Sequence, residues 1–327
     1  MSIPFGTILK PLFPLSADAF PRMAAARFGP QPDMDETWKR FEPVARTLVD
    51  SFSLSLDHSD PQRLAAALDE VRPELRGIAY EGAGMGLTLL DCLVPHRSRL
   101  ATFVNGPGAP YRGLIYIGAG LVLPRVPRNT SRFLARQDPF HRGFVMDGYG
   151  FHEGFFAWRR TIGRHARPTS IGGYALNAFD HGLGRSLWFS TGANVDRIIS
   201  TIDMFPPARQ GDLWSGIGLA CAYAAGVMDN HAVRTLLAAA GPHRADVAVG
   251  VAIASVFREQ SGLPAPHTDL ASDVVWAREA SDLAATAVRL STGLRDRPTG
   301  SAYQQWRTAL RAAWVADPAR LPVEVGA

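Results

Sequence analysis

Apolar and polar positions recur with a helical period through most of the chain. The stretches "WKRFEPVARTLVDSFSLSL" from Trp38 and "DPQRLAAALDEVRPELRGIAYEGAGMGLTLLDCL" from Asp60 both predict helix, and Pro73 marks a break or a first turn in the second. The same pattern predicts helices within residues 138–160, 172–190, 208–227, 231–240, 245–260, 270–290 and 301–315. Strand-like alternation is scarce, so the sequence predicts an all-α protein.

Pairs of glycines two residues apart recur inside these apolar segments. The pairs are Gly82/Gly84, Gly118/Gly120, Gly148/Gly150, Gly182/Gly184 and Gly216/Gly218, with Gly250/Ala252 as a degenerate sixth copy. Their period is close to 34 residues, which is typical of stacked helical hairpins. We therefore expect a tetratricopeptide-like solenoid or an α/α toroid, although the tetratricopeptide signature itself is absent.

No low-complexity linker divides the chain, so we expect one domain over residues 1–327. The glycine rhythm fades towards both ends. Residues 1–75 are interpreted as an N-terminal cap, residues 76–264 as the hairpin array, and residues 265–327 as closing C-terminal helices.

Composition excludes several classes of function. The formal net charge is +4 and the pI is about 9.3, but the arginines are spread along the chain, so we expect no nucleic-acid partner. The longest apolar run, "GLIYIGAGLVLP", is too short for a membrane span. The start is broken by prolines and resembles no leader, so we expect a cytoplasmic protein in which Cys92 and Cys221 are buried thiols.

Motifs for common cofactors are missing from the sequence. There is no phosphate-binding loop, and the glycine pairs lack the preceding strand and third glycine of a dinucleotide site. The Glu-x-x-His spacing of carboxylate-bridged metal sites is also missing. We therefore expect neither a cofactor nor a metal. The alternative is a metal held from facing helices by side chains among Glu81, Asp147, His152, Asp180 and His181.

The glycines have two compatible interpretations. Small residues at the same place in each repeat allow neighbouring helices to approach closely. Alternatively, positions such as Gly150, Gly184 and Gly218 line an inner groove, where missing side chains leave room for an elongated apolar ligand.

Acidic residues accompany several of these pairs within apolar segments. Glu81 and Asp147 directly precede a pair, Asp180 lies two residues before one, and Glu153 lies in the dense motif "VMDGYGFHEGFFAWRR". An ionised carboxylate is costly there unless it is paired or hydrogen-bonded. If these four groups converge on the inner side of the array, they supply general acid or base catalysis. Alternatively, Asp147 and Asp180 pair with Arg185 or Arg160 and lock one hairpin to the next.

Further candidates would bind and orient a ligand beside the acids. They are Tyr149, His152, His181, Arg185, Trp188 and Trp214, together with Gly150, Gly184 and Gly218. Arg185 would orient a ligand carboxylate or hold an acid in its ionised form. The two tryptophans and His152 have an alternative interpretation as ordinary core residues. Asp212 is interpreted as a structural residue in the first part of a helix.

The motifs "YEGAGMG", "DGYGFHEGFF", "HGLGRSLWF", "RQGDLWSGIGLACAYAAG" and "VAIASVFRE" carry a resemblance to a known family. The chain resembles actinobacterial proteins of unknown function that are encoded beside enediyne polyketide synthases, over nearly its whole length from Gly6. The resemblance carries no assigned chemistry. It implies a role in specialised metabolism, where a linear polyene released by the synthase becomes an enediyne core.

We therefore expect an enzyme that binds an elongated polyene intermediate and promotes its isomerisation, cyclisation or a related step without a cofactor. The rival hypothesis is a non-catalytic scaffold or chaperone that contacts the polyketide synthase or other pathway proteins. A closed, water-poor cavity would favour the enzyme, whereas a broad groove with exposed aromatic rings would favour the scaffold.

Overall fold

The computed structural model describes residues 5–29, 32–94, 97–126, 129–224, 229–297 and 300–317. Within these ranges the chain is helical, with no strand and one isolated bridge between Arg297 and Gly300. The all-α prediction is therefore confirmed. The ends of the predicted cap and of the closing segment, residues 1–4 and 318–327, lie outside the described residues.

The described residues form eighteen α-helices of very different lengths. They are α1 Phe5–Leu9, α2 Ala19–Phe28, α3 Pro32–Asp57, α4 Pro61–Asp69, α5 Pro73–Leu93, α6 Arg99–Val104, α7 Arg112–Val122, α8 Thr130–Ala135, α9 Arg142–Phe156, α10 Trp158–Thr161, α11 Ala175–Ser190, α12 Val195–Ile202, α13 Pro207–Tyr223, α14 Asn230–Ala239, α15 Arg244–Ser261, α16 Pro266–Trp276, α17 Ala280–Ser291 and α18 Ala302–Ala316.

Long and short helices alternate through the centre of the chain. The long helices α3, α5, α7, α9, α11, α13 and α15, here called the inner helices, pack against one another in chain order. The shorter helices α4, α6, α8, α10, α12 and α14 connect them. This is the helical-hairpin stack that the 34-residue period predicts.

Polar caps define where several of the connecting helices begin. Asp60 accepts backbone N–H groups at the start of α4, and Asn129, Asn194 and Asp229 do the same for α8, α12 and α14. Such a cap satisfies a donor that the first turn leaves unpaired. The inner helices differ, because α7 from residue 113 onward and α15 over residues 245–258 are buried on every side.

The glycine pairs lie where neighbouring inner helices touch. A Cβ atom added at Gly148 would overlap the Ile117 backbone of the preceding inner helix, and one at Gly150 would overlap the Phe179 backbone of the following one. Residues two apart project to nearly opposite sides of a helix, since each residue turns it by about 100°. Each inner helix has a neighbour on both sides, so each needs two such positions.

This arrangement repeats around the array. The first glycine of each pair faces the preceding inner helix and the second faces the following one, as seen for Gly82/Gly84, Gly118/Gly120, Gly182/Gly184 and Gly216/Gly218. The contacts support the close-packing interpretation of the glycine period. They also explain why helix-destabilising residues persist in these segments.

The helix boundaries agree with the sequence prediction at Pro73 but not within residues 270–290. Pro73 begins α5, in agreement with a first turn. The segment 270–290 divides into α16 and α17, because Ala277 adopts a left-handed conformation that ends α16. Pro43 lies inside α3 without ending it. Residues 225–227 of the predicted segment 208–227 lie outside the described residues.

Both ends of the chain pack onto the inner helices. The Phe20 ring of α2 lies 5.2 Å from the Phe155 ring of α9, measured between centroids. At the other end, the Tyr303 ring of α18 lies 5.1 Å from that of Phe144 in α9. The division into cap, array and closing helices stays a prediction, although α3, within the predicted cap, packs against Gly82 as an inner helix does.

No helix in the described part of the chain is by itself long and apolar enough to cross a membrane. Residues 230–239 and 241–261 meet that criterion of length and composition only as a pair, and the pair is bent by 112°.

Candidate functional site

The inner helices surround a narrow interior cavity of about 40 Å³. Within the described part of the chain its polar lining groups are Glu81, Arg185 and Tyr223. The remaining lining residues are apolar or aromatic: Val44, Leu48, Ile78, Leu114, Ile117, Phe151, Phe189, Leu219, Ala220, Ala224 and Phe257. Every inner helix contributes to this lining. The cavity has room for a few water molecules, at roughly 10–15 Å³ each.

Arg185 connects two buried carboxylates beside the cavity. Its Nη1 donates to Asp147 Oδ1 at 2.6 Å, and its Nη2 lies 3.5 Å from Glu81 Oε1. The guanidinium carbon also lies 5.1 Å from the centre of the Phe151 ring. Arg185 therefore pairs closely with Asp147 and only loosely with Glu81.

Glu81 is the carboxyl group with a pKa near neutrality. Burial raises the pKa of Glu81 to about 7, and the negative charge of Asp147 adds to this effect, while Arg185 acts in the opposite direction. Burial dominates because the 3.5 Å contact with Arg185 does not fully compensate an ionised carboxylate. Both protonation states of Glu81 are therefore populated close to pH 7.

Asp147 and His181 form a second part of the cluster. Burial alone would raise the pKa of Asp147, but Arg185 and His181 outweigh it and hold that pKa below its ordinary value. Burial lowers the pKa of His181, against the influence of Asp147, so the imidazole is neutral near pH 7. His181 Nδ1 lies 2.8 Å from Asp147 Oδ2. A neutral imidazole donates from this nitrogen to the carboxylate.

The cluster separates two chemical roles. Asp147 stays ionised and fixes the Arg185 guanidinium and the His181 ring, whereas Glu81 gains or loses a proton near pH 7. A carboxyl group with such a pKa, facing an apolar cavity, is suited to general acid or base catalysis. The structure therefore brings together four of the predicted site residues: Glu81, Asp147, His181 and Arg185.

Glu153 lies in a different environment. It pairs with Arg160, whose side chain is 54% exposed, and His152 Nδ1 lies 3.6 Å from Glu153 Oε1. Tyr149 packs beside Phe179, with 6.1 Å between ring centroids. None of Glu153, His152 and Tyr149 lines the interior cavity.

Asp180 also lies outside the central cluster. Its carboxylate accepts two hydrogen bonds from Arg209 of α13, at 2.9 and 2.5 Å, and pairs with Arg167. Arg209 Nη1 also donates to the His165 carbonyl at 2.6 Å. These contacts tie α11 to α13 and to the preceding loop. The arrangement matches the alternative in which an aspartate links one hairpin to the next.

The remaining predicted binding residues are part of the packed interior. Trp188 and Trp214 are buried and do not line the cavity. Gly150, Gly184 and Gly218 face the backbones of Phe179, Leu213 and Val247 on neighbouring helices, so these positions lie between helices rather than at the cavity.

Sequence reasoning missed Tyr223 at the cavity and the arginine partners of Asp180 and Asp212. Tyr223 ends the apolar run "GIGLACAY", where no local pattern distinguishes a cavity residue from a core residue. Asp212 lies in the second turn of α13 and pairs with Arg307 of α18 at 2.8 Å, a partner 95 residues away in sequence. Burial raises the pKa of Tyr223 to about 12, so its hydroxyl stays protonated.

Among the described residues, no group of three or more histidine, cysteine, aspartate or glutamate side chains is arranged to hold a metal ion. The acidic groups of the central cluster are instead engaged by Arg185.

Comparison with known proteins places the chain in a family. Residues 19–314 match the family described as "Protein of unknown function (DUF1702)". No curated protein and no solved structure matches the chain. Because the family match spans most of the chain, this protein belongs to the DUF1702 family.

Proposed function

We propose that this protein is a cofactor-independent enzyme of enediyne-type polyketide biosynthesis. It binds an apolar polyene intermediate and promotes isomerisation, cyclisation or a related maturation step by proton transfer at Glu81. The observation that carries the proposal is a buried carboxyl group with a pKa of about 7 facing an apolar cavity. The pathway context rests on the resemblance of the "DGYGFHEGFF" and "HGLGRSLWF" motifs to proteins encoded beside enediyne polyketide synthases.

The character of the cavity favours a reaction over simple binding. The largely apolar lining lowers the local dielectric constant, which strengthens the influence of the nearby charges on a developing charge in the substrate. Because Asp147 holds the Arg185 guanidinium in place, its positive charge is already fixed beside Glu81. The side chain does not need to move during the reaction. Glu81 then donates a proton to a carbon of the polyene or removes one, and the apolar rings position the chain.

The size of the cavity requires that it widens when a polyene binds. Val44, which lines it from α3, is only partly buried, and it follows Pro43. A proline within a helix removes one backbone hydrogen bond and weakens the helix locally. We therefore assign the route by which the substrate enters to the side where α3 covers the cavity. There the centroids of the Phe41 and Phe189 rings lie 4.9 Å apart.

The scaffold hypothesis requires a different surface. The exposed large hydrophobic side chains in the described part of the chain are Ile8, Leu12, Leu93, Met204, Val288 and Val315, and none of them is aromatic. A broad groove with exposed aromatic rings, as a polyene-shielding scaffold would need, is therefore not among the surfaces described.

Reconstitution with an enediyne-type polyketide synthase tests the proposal. Glu81→Gln should abolish conversion of the released polyene, as followed by mass spectrometry and by ultraviolet absorption. Glu153→Gln is the matched control, because it changes another buried glutamate that does not line the cavity. Conversion that survives Glu81→Gln would overturn the assignment of Glu81. A folded wild-type protein that changes no product would favour the scaffold.

A further inference from the structure

The Tyr223 hydroxyl is a buried donor with no hydrogen-bond partner among the described residues. Tyr223 is 5% exposed and lines the interior cavity with Glu81 and Arg185. Leaving a buried hydroxyl unpaired destabilises a fold by about 1–3 kcal/mol. Because Tyr223 lines the cavity, an acceptor on a ligand bound there would satisfy this donor and recover that cost.

The position of this hydroxyl is well determined by its surroundings. The Tyr223 carbonyl accepts hydrogen bonds from Arg258 Nη2 at 2.8 Å and from His267 Nε2 at 3.0 Å. The Arg258 guanidinium carbon lies 4.1 Å from the centre of the Tyr223 ring. Backbone and ring are therefore both held, and the hydroxyl points at α5.

Gly77 makes room for the hydroxyl on α5. A Cβ atom at residue 77 would overlap the Tyr223 hydroxyl oxygen and would lie 3.2 Å from Cζ. Gly77 and Glu81 are four residues apart and share one face of the helix. Helical side chains lean towards the N-terminus, so the Glu81 carboxyl group leans towards the turn that the Tyr223 hydroxyl contacts.

We propose that the ligand is an unsaturated carbonyl compound, that its carbonyl oxygen accepts a hydrogen bond from Tyr223, and that Glu81 moves a proton between carbons conjugated to that carbonyl. This inference rests on the proposed function, because it names the substrate class and a second catalytic residue of the same site. A polyene hydrocarbon would leave the Tyr223 donor unpaired, whereas an enone or dienone satisfies it.

The proton transfer balances within the site. The Glu81 carboxylate removes a proton from the carbon next to the carbonyl, and the electron pair of that C–H bond delocalises onto the carbonyl oxygen as a dienolate. Tyr223 donates its hydrogen bond to this oxygen, where negative charge develops. Glu81 returns the proton to the γ-carbon, which shifts the double bond. No oxidant, reductant or second substrate is needed.

A pair of probes of nearly equal shape tests the carbonyl contact. We choose 3-penten-2-one and 2-methyl-1,3-pentadiene, in which a CH₂ group replaces the carbonyl oxygen. A hydrogen bond to the carbonyl shifts the ultraviolet absorption of the enone to longer wavelength. We expect the bound enone to absorb at longer wavelength in wild-type protein than in Tyr223→Phe, with enone affinity reduced about five- to tenfold in the variant and diene affinity unchanged.

Tyr303→Phe is the matched control. Tyr303 is also buried, its hydroxyl also has no partner in the described ranges, and it does not line the cavity. Both substitutions remove an unpaired buried hydroxyl, so neither variant should melt below the wild-type protein. Gly77→Ala is a second test, because its methyl group displaces the Tyr223 hydroxyl and should also abolish the shift.

Deuterium exchange separates this inference from the proposed function. In D₂O, nuclear magnetic resonance follows exchange of the methyl hydrogens of 3-penten-2-one, which Glu81→Gln should abolish while the absorption shift remains. A Tyr223-dependent shift without exchange would contradict acid/base catalysis but keep the carbonyl contact. An unchanged shift in Tyr223→Phe, equal affinity for enone and diene, or no saturable enone binding would overturn the carbonyl assignment.

Discussion

Replacing one glycine of a pair with alanine tests how the inner helices pack. A Cβ atom at Gly148 would lie 2.8 Å from the Ile117 carbonyl carbon and 3.0 Å from the Leu121 nitrogen, whereas ordinary contact is 3.4–4 Å. These atoms belong to a helix backbone, so α7 and α9 must separate. Overpacking of this kind costs about 3 kcal/mol, and the better helix propensity of alanine offsets about 1 kcal/mol.

We therefore expect Gly148→Ala to lower the free energy of unfolding by about 2 kcal/mol. For a chain of this size the melting temperature should fall by about 3 °C, measured by circular dichroism at a helical wavelength. Gly172→Ala is the control, because an added Cβ there has nothing within 4 Å and the backbone is not left-handed. Equal melting temperatures for the two variants would refute the close-packing role of the pairs.

Two further predictions concern buried charges. Asp180→Asn should destabilise the protein by about 3 kcal/mol, because it removes the carboxylate that pairs with buried Arg209. Glu153→Gln should lower the free energy of unfolding by only about 1 kcal/mol or less, since the Arg160 side chain is 54% exposed and can be solvated by water. Equal losses in urea denaturation would contradict this ranking. The pKa of Glu81 in the folded protein lies above its ordinary value of 4.5. The stability that Glu81 contributes is therefore fully present below about pH 4.5 and is lost as the pH rises through 7. The total loss in the free energy of unfolding is about 3 kcal/mol. Denaturation curves should show this loss relative to Glu81→Gln, and parallel pH profiles would contradict it.

The helical class and the repeat were predictable because both follow from local pattern. Apolar periodicity identifies a helix without knowledge of its partner, and the glycines recur because every inner helix meets the same kind of neighbour. The helices α6, α8 and α12 were not predicted as separate elements. They are only six to eight residues long, and capping residues such as Asn129 and Asn194 carry little signal alone.

The composition of the site could be predicted only in part because helix rotation decides which side chains meet. His181 and Arg185 are four residues apart, so they share a face of α11 and both reach Asp147. Asp180 is adjacent to His181 in sequence but is rotated by about 100°, which directs it to Arg209 instead. Choosing candidate residues by their closeness in sequence to the glycines therefore cannot show which face of the helix each side chain occupies.

The measurement that tests the central claim most directly is the titration of Glu81 itself. Protein labelled with ¹³C at the glutamate carboxyl groups can be titrated by nuclear magnetic resonance, with Glu81→Gln identifying the resonance by its absence. We expect a buried carboxyl group with a pKa of about 7. A pKa near the ordinary value of 4.5 would mean that Glu81 is ionised and solvated at neutral pH, and it would contradict the proton-transfer site.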